Sequence, residues 1–266
     1  MTASQLGDRD IRRYARHIVL PELGGEGQLR LRNASVLVVG AGGLGSPLAL
    51  YLAAAGVGRI GLVDDDRVAE DNLHRQVLFA ERDVGRRKVE AGAEHLKARD
   101  SATETVIFAE RLTRGNARTI LGPFDIVADG SDNFETRLLV QETCLELGRT
   151  LVSAAVQGMD GQLTTFKAHL GPPHPCLACL FPERPEPRAL PSCAQGGVLG
   201  PVAGVLGTLQ AVEVIKEIVG GFPSLSGTLL VYDARSSEFT RLAFARRPDC
   251  ALCGGERGCA GATISV

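Results

Sequence analysis

A strand, a glycine-rich loop and a helix follow one another directly near the start of this 266-residue chain. Residues 35–39 (SVLVV) have the continuous apolar character of a strand that is buried on both faces of a sheet. The loop GAGGLG comes next, and the apolar stretch SPLALYLAAAGVG then predicts a helix that ends at Gly56 or Gly58. This order of elements is the first unit of a parallel, doubly wound sheet.

The same alternation continues downstream. The segments RIGLVD, TETVIFAE, FDIVADG and TLVSAAVQ predict further strands, and helical segments separate them. Residues 158–168 and 228–246 then predict antiparallel strands, the latter as a hairpin. We therefore expect an α/β fold, a doubly wound, Rossmann-like and mainly parallel sheet with an antiparallel C-terminal extension.

The chain is predicted to form a single domain over residues 1–266. Near its start, Ile11, Tyr14 and Val19 fall at helical spacing behind Asp8, a candidate helix cap. Residues 1–33 form an N-terminal helical segment, and residues 34–160 form a nucleotide-binding core. Residues 161–255 contain a long Pro-, Cys- and Gly-rich segment, a helix and the hairpin. The tail, 256–266, is expected to be disordered.

Composition argues against several classes of protein. A net charge of -2 and an aromatic content of 5%, without tryptophan, argue against nucleic acid as a partner. The N-terminus has no apolar core of signal-peptide length, and no later run is long and uncharged enough to cross a bilayer. We therefore expect a cytoplasmic protein without membrane association, whose seven cysteines stay reduced.

The glycine-rich loop matches the G-x-G-x-x-G nucleotide-binding pattern at Gly40, Gly42 and Gly45, with Gly43 between them. Backbone N–H groups and the helix N-terminus can then face a phosphate. Asp64 ends the next strand, where a carboxylate can accept hydrogen bonds from ribose hydroxyls. Because NAD- and FAD-dependent oxidoreductases commonly use this pattern, that class of enzyme is an alternative at this point.

Polar and cationic side chains follow that strand where a dinucleotide enzyme does not need them. They are Asp66, Asn72, Arg75, Gln76 and Lys88. A triphosphate carries more negative charge than the pyrophosphate of a dinucleotide, and arginine and lysine supply the extra cations that it needs. Each of these residues alone is also compatible with a solvated loop or helix surface.

A third polar group, Asp129-Gly130-Ser131-Asp132-Asn133, follows the fourth predicted strand. The carboxyl ends of parallel strands share one edge of a sheet, so this loop is expected to face the same crevice as the glycine loop. A carboxylate beside a triphosphate needs a hard cation between them, which makes Asp132 a candidate Mg²⁺ ligand. The alternative is that Asp132 only caps the following helix.

Four of the cysteines form two CxxC pairs, Cys176 with Cys179 and Cys250 with Cys253. Four thiolates suit a closed, tetrahedral zinc site, which is structural because no ligand position stays open. Reduced or redox-active thiols are the alternative. The fold must bring the two pairs together, because their separation is far greater than in a small zinc finger.

The other three cysteines differ in their surroundings. Cys144 lies in a predicted helix among apolar neighbours and is expected to be a buried core thiol. Cys259 falls in the predicted tail. Cys193 lies in the glycine-flanked sequence PSCAQGG just before a helix, where a thiol is accessible for reaction. A loop thiol without a function is the alternative.

In combination, these motifs resemble the E1-like adenylyltransferases of the ThiF/MoeB/HesA family, which activate ubiquitin-like sulfur carrier proteins. The resemblance is carried by GAGGLG, by D-x-D-x-V-x-x-x-N-L-x-R-Q, by Gly85 to Lys88 and by SDN, and it extends from RYARHIVL to the last CxxC. The sequence departs from the family pattern at two places, and both changes are small. Gly130-Ser131 replaces the more usual Cys-Thr, and His74 stands where Gln is common.

The resemblance implies an assignment for most of these residues. Asp64 would hold the ribose of ATP, Asn72, Arg75 and Lys88 would bind its phosphates, and Asp132 would bind Mg²⁺. Ser131 and Asn133 flank that aspartate in the same site. Arg16 would reach across a homodimer into the partner's site, although a solvated arginine on a polar helix face is the alternative. Cys193 would link covalently to the carrier during sulfur transfer.

The expected reaction is ATP-dependent adenylylation of the C-terminal glycine carboxylate of a ubiquitin-like sulfur carrier, with release of pyrophosphate. We expect the carrier of thiamine thiazole synthesis (ThiS-type), and the small subunit of molybdopterin synthase (MoaD-type) is the alternative carrier. The sequence holds no sulfurtransferase domain, so sulfur is expected from a separate donor. An oxidoreductase and a non-catalytic docking scaffold are the alternatives from other classes.

Overall fold

The computed structural model describes residues 4–183 and 197–254, which contain one eight-stranded sheet. The strands are β1 Ser35–Val39, β2 Arg59–Val63, β3 Glu104–Phe108, β4 Ile126–Asp129, β5 Thr150–Gln157, β6 Asp160–Phe166, β7 Thr228–Asp233 and β8 Glu238–Ala243. Their order across the sheet is β3-β2-β1-β4-β5-β6-β7-β8.

The first five strands are parallel, as their apolar runs predict. β1 lies between β2 and β4, so successive strands are added on opposite sides of it. Val39 at the end of β1 is in register with both Val63 and Asp129. The carboxyl ends of the three strands therefore lie side by side at the switch point, where open α/β sheets bind ligands.

The last three strands are antiparallel to their neighbours. β6 pairs with β5 from Leu151↔Phe166 to Gln157↔Asp160, and β7 and β8 continue the sheet as a hairpin. The prediction of a mainly parallel sheet with an antiparallel C-terminal extension is therefore confirmed.

Helices cover both faces of the parallel half. They are α1 Asp8–Arg13, α2 Ala15–Ile18, α3 Gly24–Asn33, α4 Gly45–Ala54, α5 Lys88–Arg99, α6 Ala117–Leu121, α7 Phe134–Leu147, α8 Leu177–Leu180 and α9 Gly200–Val219. One apolar core lies between the sheet and α3, α4, α5 and α9, and a second lies between the sheet and α6, α7 and α8. The alternation of residues such as Val36 and Leu37 along β1 supplies both cores.

The N-terminal segment differs from the prediction in two respects. The backbone breaks at Tyr14 and divides the predicted helix into α1 and α2, and α1 begins after Gly7 without a side-chain cap from Asp8. Of the predicted apolar face only Tyr14 is buried, while Ile11 and Val19 are exposed. The helical spacing is correct, but this face does not pack on the chain's own core.

Two predicted features lie outside the described residues. Part of the long loop, including Cys193, falls in 184–196, and the predicted tail falls in 255–266. Within the ranges that are described, no helix combines the length and the hydropathy needed to cross a membrane.

Candidate nucleotide and metal sites

The glycine loop turns sharply between β1 and α4. Gly40 has a φ of +85°, a conformation that L side chains rarely adopt. A Cβ atom at Gly45 would overlap the carbonyl oxygen of Gly40, and one at Gly40 would lie 3.3 Å from the carbonyl oxygen of Gly130. Glycine is therefore required where the loop folds on itself and where it meets the loop after β4, so the two loops lie together as predicted.

The Gly45→Ala substitution tests this packing. We expect it to lower the free energy of unfolding by about 1–3 kcal/mol, because the loop has to open to admit the methyl group. ATP affinity should fall with it, since the N–H groups that are predicted to face the phosphates move. The matched control is Gly204→Ala in α9, where a Cβ meets no atom within 4 Å. Equal effects of the two variants in urea denaturation and calorimetric titration would contradict this assignment.

Asp64 connects the glycine loop to the polar stretch that follows β2. Its Oδ2 accepts a hydrogen bond from the Ala41 N–H at 2.8 Å, and its Oδ1 accepts one from the Asp66 N–H at 2.9 Å. Burial raises the pKa of Asp64 above its ordinary value, and the charge of Lys88 opposes that rise. Asp64, which was predicted to face a ribose, therefore fixes the shape of the glycine loop.

Lys88 is a buried cation at the start of α5. It is 4% exposed, and its Nζ lies 2.8 Å from Oδ2 of Asp66, while its N–H donates to the backbone oxygen of Asp66. Asp66 itself remains largely exposed. The positive charge of Lys88 is therefore buried, and its carboxylate partner is open to solvent.

The polar stretch folds back over the glycine loop. Gln76 is buried, its Nε2 donates to Oδ1 of Asn72 at 2.5 Å, and its Oε1 has no hydrogen-bond partner among the described residues. Nε2 of Gln76 lies 4.0 Å from the Cβ position of Gly42, and Cγ of Arg75 lies 3.8 Å from that of Gly43. The structure therefore brings the two halves of the predicted site together.

Two acceptors hold the Arg75 guanidinium. Its Nη1 donates to the Asp71 carbonyl oxygen at 2.9 Å and lies 2.8 Å from Nε2 of His74. The backbone of His74 packs against Gly200 at the start of α9, where a Cβ would overlap the His74 carbonyl oxygen. Glycine therefore lets another backbone approach this helix closely at Gly200, and again where Gly207 meets the carbonyl oxygen of Leu44.

The loop after β4 is fixed by a buried carboxylate. Oδ1 of Asp129 accepts from the Ser131 N–H at 2.9 Å, and burial raises the pKa of Asp129. Arg137 donates to the carbonyl oxygens of Ser131 and Ala154. Oδ2 of Asp129 and Oγ of Ser131 are buried without partners in the described part of the chain. Asp132 follows on this fixed loop and is exposed.

The cap of α7 is Asn133, whose Oδ1 accepts from the Thr136 N–H at 2.9 Å. The alternative that Asp132 serves as this cap is therefore wrong. We expect Asn133→Ala to lower the free energy of unfolding by about 1 kcal/mol, the usual cost of a lost cap. Asp132→Ala should leave it unchanged in the same urea titration. A larger loss from Asp132→Ala would show that Asp132 has a structural role.

The four cysteines of the CxxC pairs meet in a buried cluster. The Sγ atom of Cys176 lies 3.8 Å from that of Cys179 and 3.5 Å from that of Cys250. The Sγ atoms of Cys179 and Cys253 are 3.5 Å apart. Sulfurs bound to one zinc at about 2.3 Å in a tetrahedron lie roughly 3.8 Å apart. The cluster has the donor set, spacing and enclosure of a four-coordinate metal site.

Neighbouring groups hold this cluster in shape. The N–H of Arg247 donates to the Cys179 sulfur at 3.4 Å, and the Arg246 guanidinium binds the carbonyl oxygens of His174 and Cys253. Cys144 is outside the cluster, fully buried, with a pKa that burial raises. Its prediction as a core thiol is confirmed, whereas Cys193 and Cys259 lie outside the described residues.

A family model for the ThiF family matches residues 14–252, which covers the glycine loop, the polar stretch, the first CxxC pair and Cys250 of the second. The chain belongs to the ThiF family. Among curated proteins, it is 53% identical over 250 residues to "Adenylyltransferase and sulfurtransferase MOCS3" of Bos taurus, a match that covers 94% of this chain and 54% of the relative. The chain thus spans about half the length of this relative and of its pig counterpart.

Another curated relative matches this chain over nearly the whole length of both proteins. "Sulfur carrier protein adenylyltransferase" of Thermus thermophilus is 47% identical, and the match covers 93% of this chain and 92% of the relative. Among solved structures, E. coli MccB with MccA-N7isoASN has a TM-score of 0.78 at 24% identity, covering 92% of this chain and 75% of that one. E. coli MccB with ATP has a TM-score of 0.76 at 25% identity, covering 91% and 75%.

The sequence of this ThiF-family chain left three site-forming residues unassigned. Asp129 and Arg137 fix the loop that carries Asp132, and the Gln210 side chain donates to the carbonyl oxygens of Asp129 and Val152. Asp129 belongs to the polar motif after the fourth predicted strand, but its position at a strand end does not by itself predict this role. Gln210 is a polar residue in an apolar helix, and this is the signal that could have revealed it.

Arg16 is placed apart from the glycine loop. It lies on α2, is exposed, and has no hydrogen-bond or ion-pair partner among the described residues. The neighbouring Tyr14 packs on Gly56, just beyond the end of α4, whereas the glycine loop joins the start of α4. The ten residues of α4 span about 15 Å.

Proposed function

We propose that this chain adenylylates the C-terminal glycine carboxylate of a ubiquitin-like sulfur carrier protein, using Mg²⁺ and ATP and releasing pyrophosphate. The observation that carries the proposal is the meeting of three loops at one sheet edge: the glycine loop, the stretch with Arg75 and Lys88, and the loop with Asp132. The names of the Thermus relative and of the ATP complex of MccB agree with this substrate class and nucleotide.

Buried polar atoms support a nucleotide in this crevice. Oε1 of Gln76 and Oγ of Ser131 are buried without a partner in the described residues, which is costly unless a ligand or water satisfies them. Arg75 and Lys88 supply positive charge on the same side. We assign Asp64 to the ribose and Asn72, Arg75 and Lys88 to the phosphates. The N–H groups of the glycine loop, at the N-terminus of α4, would also face phosphate charge.

The chemistry demands little proton transfer from the protein. The carrier carboxylate is already ionised at neutral pH and attacks the α-phosphorus directly. The new bond joins a carboxylate oxygen to phosphorus, and the bond to the β-phosphate oxygen breaks as pyrophosphate leaves. Arg75 and Lys88 stabilise the negative charge on the phosphates, Lys88 after exchanging Asp66 for phosphate oxygen. Mg²⁺, held by Asp132, would neutralise phosphate charge as a Lewis acid.

We assign zinc to the four-cysteine cluster. The site is closed, so the ion would stabilise structure and would not take part in the reaction. It would tie Cys176 and Cys179, at the start of the long loop, to Cys250 and Cys253 near the C-terminal end of the described residues. Zinc would then fix the start of the long loop.

Four further assignments complete the proposal. The chain acts as a homodimer in which Arg16 serves the partner's nucleotide, since its segment is anchored at the far end of α4 from the chain's own glycine loop. Cys193 links to the carrier during sulfur transfer, and the sulfur comes from a separate donor. The thiazole-pathway carrier is the first candidate, and the molybdopterin-pathway carrier is the second.

Mass spectrometry of the carrier tests the chemistry. The protein, Mg²⁺, ATP and a carrier with an intact C-terminal glycine should yield a carrier heavier by one adenylate group, and the adduct should disappear on addition of hydroxylamine. A carrier that lacks its terminal glycine is the control. An unmodified carrier, with ATP still hydrolysed, would contradict acyl-adenylate formation.

A further inference from the structure

One buried side chain anchors the N-terminal segment to the domain. Neither α1 nor α2 contains a buried residue, and Tyr14 between them is 3% exposed. The two helices have six and four residues, too few to be stable or fixed in direction by themselves. The orientation of α2 therefore depends on its contacts with the rest of the domain, and Tyr14 is the one residue of 8–18 whose side chain is buried.

A buried carboxylate receives the Tyr14 hydroxyl. Tyr14 Oη donates to Oδ2 of Asp100 at 2.6 Å, and Arg9 donates to Oδ1 at 2.7 Å. The Asp100 side chain is fully buried, and Arg32 approaches the same Oδ2 at 3.4 Å. Burial alone would raise the pKa of Asp100, but the hydrogen bonds from Tyr14 and Arg9 hold it well below its ordinary range. The carboxylate is thus ionised at neutral pH.

The Tyr14 ring is enclosed as tightly as its hydroxyl. A Cβ at Gly56 would lie 2.6 Å from Cζ of Tyr14, so only glycine leaves room for the ring. His17 stacks on the ring with centroids 5.9 Å apart, and Nδ1 of His17 lies 2.9 Å from Oε1 of Gln28, which is itself buried. The α1–α2 junction is therefore held on both sides of residues 15 and 16.

These contacts separate the arginines of the segment into two kinds. Arg9 and Arg13 are engaged, since Arg9 pairs with Asp100 and Arg13 donates to the Arg99 carbonyl oxygen. Arg12 and Arg16 are exposed and have no partner in the described part of the chain. Arg16 lies between the two anchored residues Tyr14 and His17, and its exposed guanidinium has no partner in the described residues.

We propose that Tyr14 is a positioning residue for adenylylation: its bond to Asp100 holds α2 so that Arg16 is presented to the nucleotide of a second copy of this chain. The inference rests on the proposed function, in which Arg16 acts across a homodimer. Asp100 and Gly56 lie just beyond the ends of α5 and α4, and Lys88 and Gly45 begin the same helices at the nucleotide edge. The anchor, with Arg16 two residues beyond Tyr14, thus lies at the opposite ends of these helices from the chain's own site.

A double-mutant cycle measures this dependence. Tyr14→Phe keeps the ring packing and removes the hydroxyl, and it should lower kcat for carrier-dependent ATP–pyrophosphate exchange about tenfold with little change in KM for ATP. Arg16→Ala should lower kcat about 10²-fold. In the Arg16→Ala background, Tyr14→Phe should have less than about a twofold further effect, because the group through which it acts is gone. Asp100→Asn is the second variant should Tyr14→Phe fold poorly.

Arg12→Ala is the matched background, since it removes another exposed arginine from the same segment. Tyr14→Phe should keep its tenfold effect there. An equal effect of Tyr14→Phe in the Arg16→Ala background would overturn the positioning role alone, because a purely structural defect multiplies with any other. Wild-type exchange by the Arg16→Ala variant would overturn the positioning role together with the proposed action of Arg16.

Mixed subunits test the action across the dimer. An Asp132→Ala subunit has a defective site but an intact Arg16, and it should restore exchange when mixed with Arg16→Ala subunits. The same donor carrying Tyr14→Phe as well should restore about a tenth as much. Equal restoration by both donors would contradict the role of Tyr14, and restoration by neither, with mixed dimers present, would contradict presentation of Arg16 to a partner.

Discussion

Replacement of Asp132 or Arg75 by alanine is expected to lower carrier-dependent ATP–pyrophosphate exchange by about 10²–10³-fold, the usual effect of removing one group that stabilises charge in a transition state. Asp132 is exposed on a loop that Asp129 and Arg137 hold, so its own carboxylate is not needed for the fold. Arg75 makes its contacts with a carbonyl oxygen and with His74 within the same exposed stretch. Rates should therefore fall while the free energy of unfolding stays unchanged.

Two neighbouring substitutions control for general charge effects. Glu135→Ala removes an exposed carboxylate from the first turn of α7, and Arg82→Ala removes an exposed guanidinium between β2 and α5. Neither residue belongs to the proposed site, and both variants should exchange at near the wild-type rate. Raising the Mg²⁺ concentration should partly recover the Asp132→Ala variant but not the Arg75→Ala variant. Near-normal exchange in both alanine variants would overturn the assignment.

Removal of the metal from the cysteine cluster is expected to have the largest effect on stability. The purified chain should contain about one zinc ion per molecule, and a chelator should lower Tm by about 10 °C, which corresponds to a loss of roughly 3–5 kcal/mol for a domain of this size. Cys250→Ser should do the same, because it removes one of four ligands and leaves three buried thiols. Differential scanning calorimetry with metal analysis measures both quantities.

Cys259→Ser is the matched control, since Cys259 belongs to neither CxxC pair. It should leave the zinc content and Tm unchanged. Redox-active thiols make a different prediction: oxidant would form disulfides in the cluster and chelator would have no effect. A metal-free chain with an unchanged Tm would contradict the structural zinc site.

The sequence was sufficient for the parallel half of the fold because its signals are local. A buried strand is a continuous apolar run, as in Val36 to Val39, and Gly40 and Gly45 mark a turn that only glycine can make. The two CxxC pairs also predicted a common site, although 74 residues separate Cys176 from Cys250. Two such pairs together supply the four thiolates of one metal site.

Long-range polar contacts could not be predicted in this way. Tyr14 and Asp100 are 86 residues apart, and neither carries a pattern that names its partner. The helical spacing of Ile11, Tyr14 and Val19 predicted a face packed on the core, but only Tyr14 reaches it. Periodicity gives the direction of an apolar face and does not give the surface that covers it.

The measurement that tests the central claim most directly is ATP–pyrophosphate exchange by the wild-type chain, with the thiazole-pathway carrier and the molybdopterin-pathway carrier offered in turn. We expect Mg²⁺-dependent exchange that requires a carrier with an intact C-terminal glycine, and faster exchange with the thiazole-pathway carrier. A higher rate with the other carrier would reassign the pathway and keep the chemistry. Absence of exchange with both, together with tight binding of NAD(H), would contradict the account and favour an oxidoreductase.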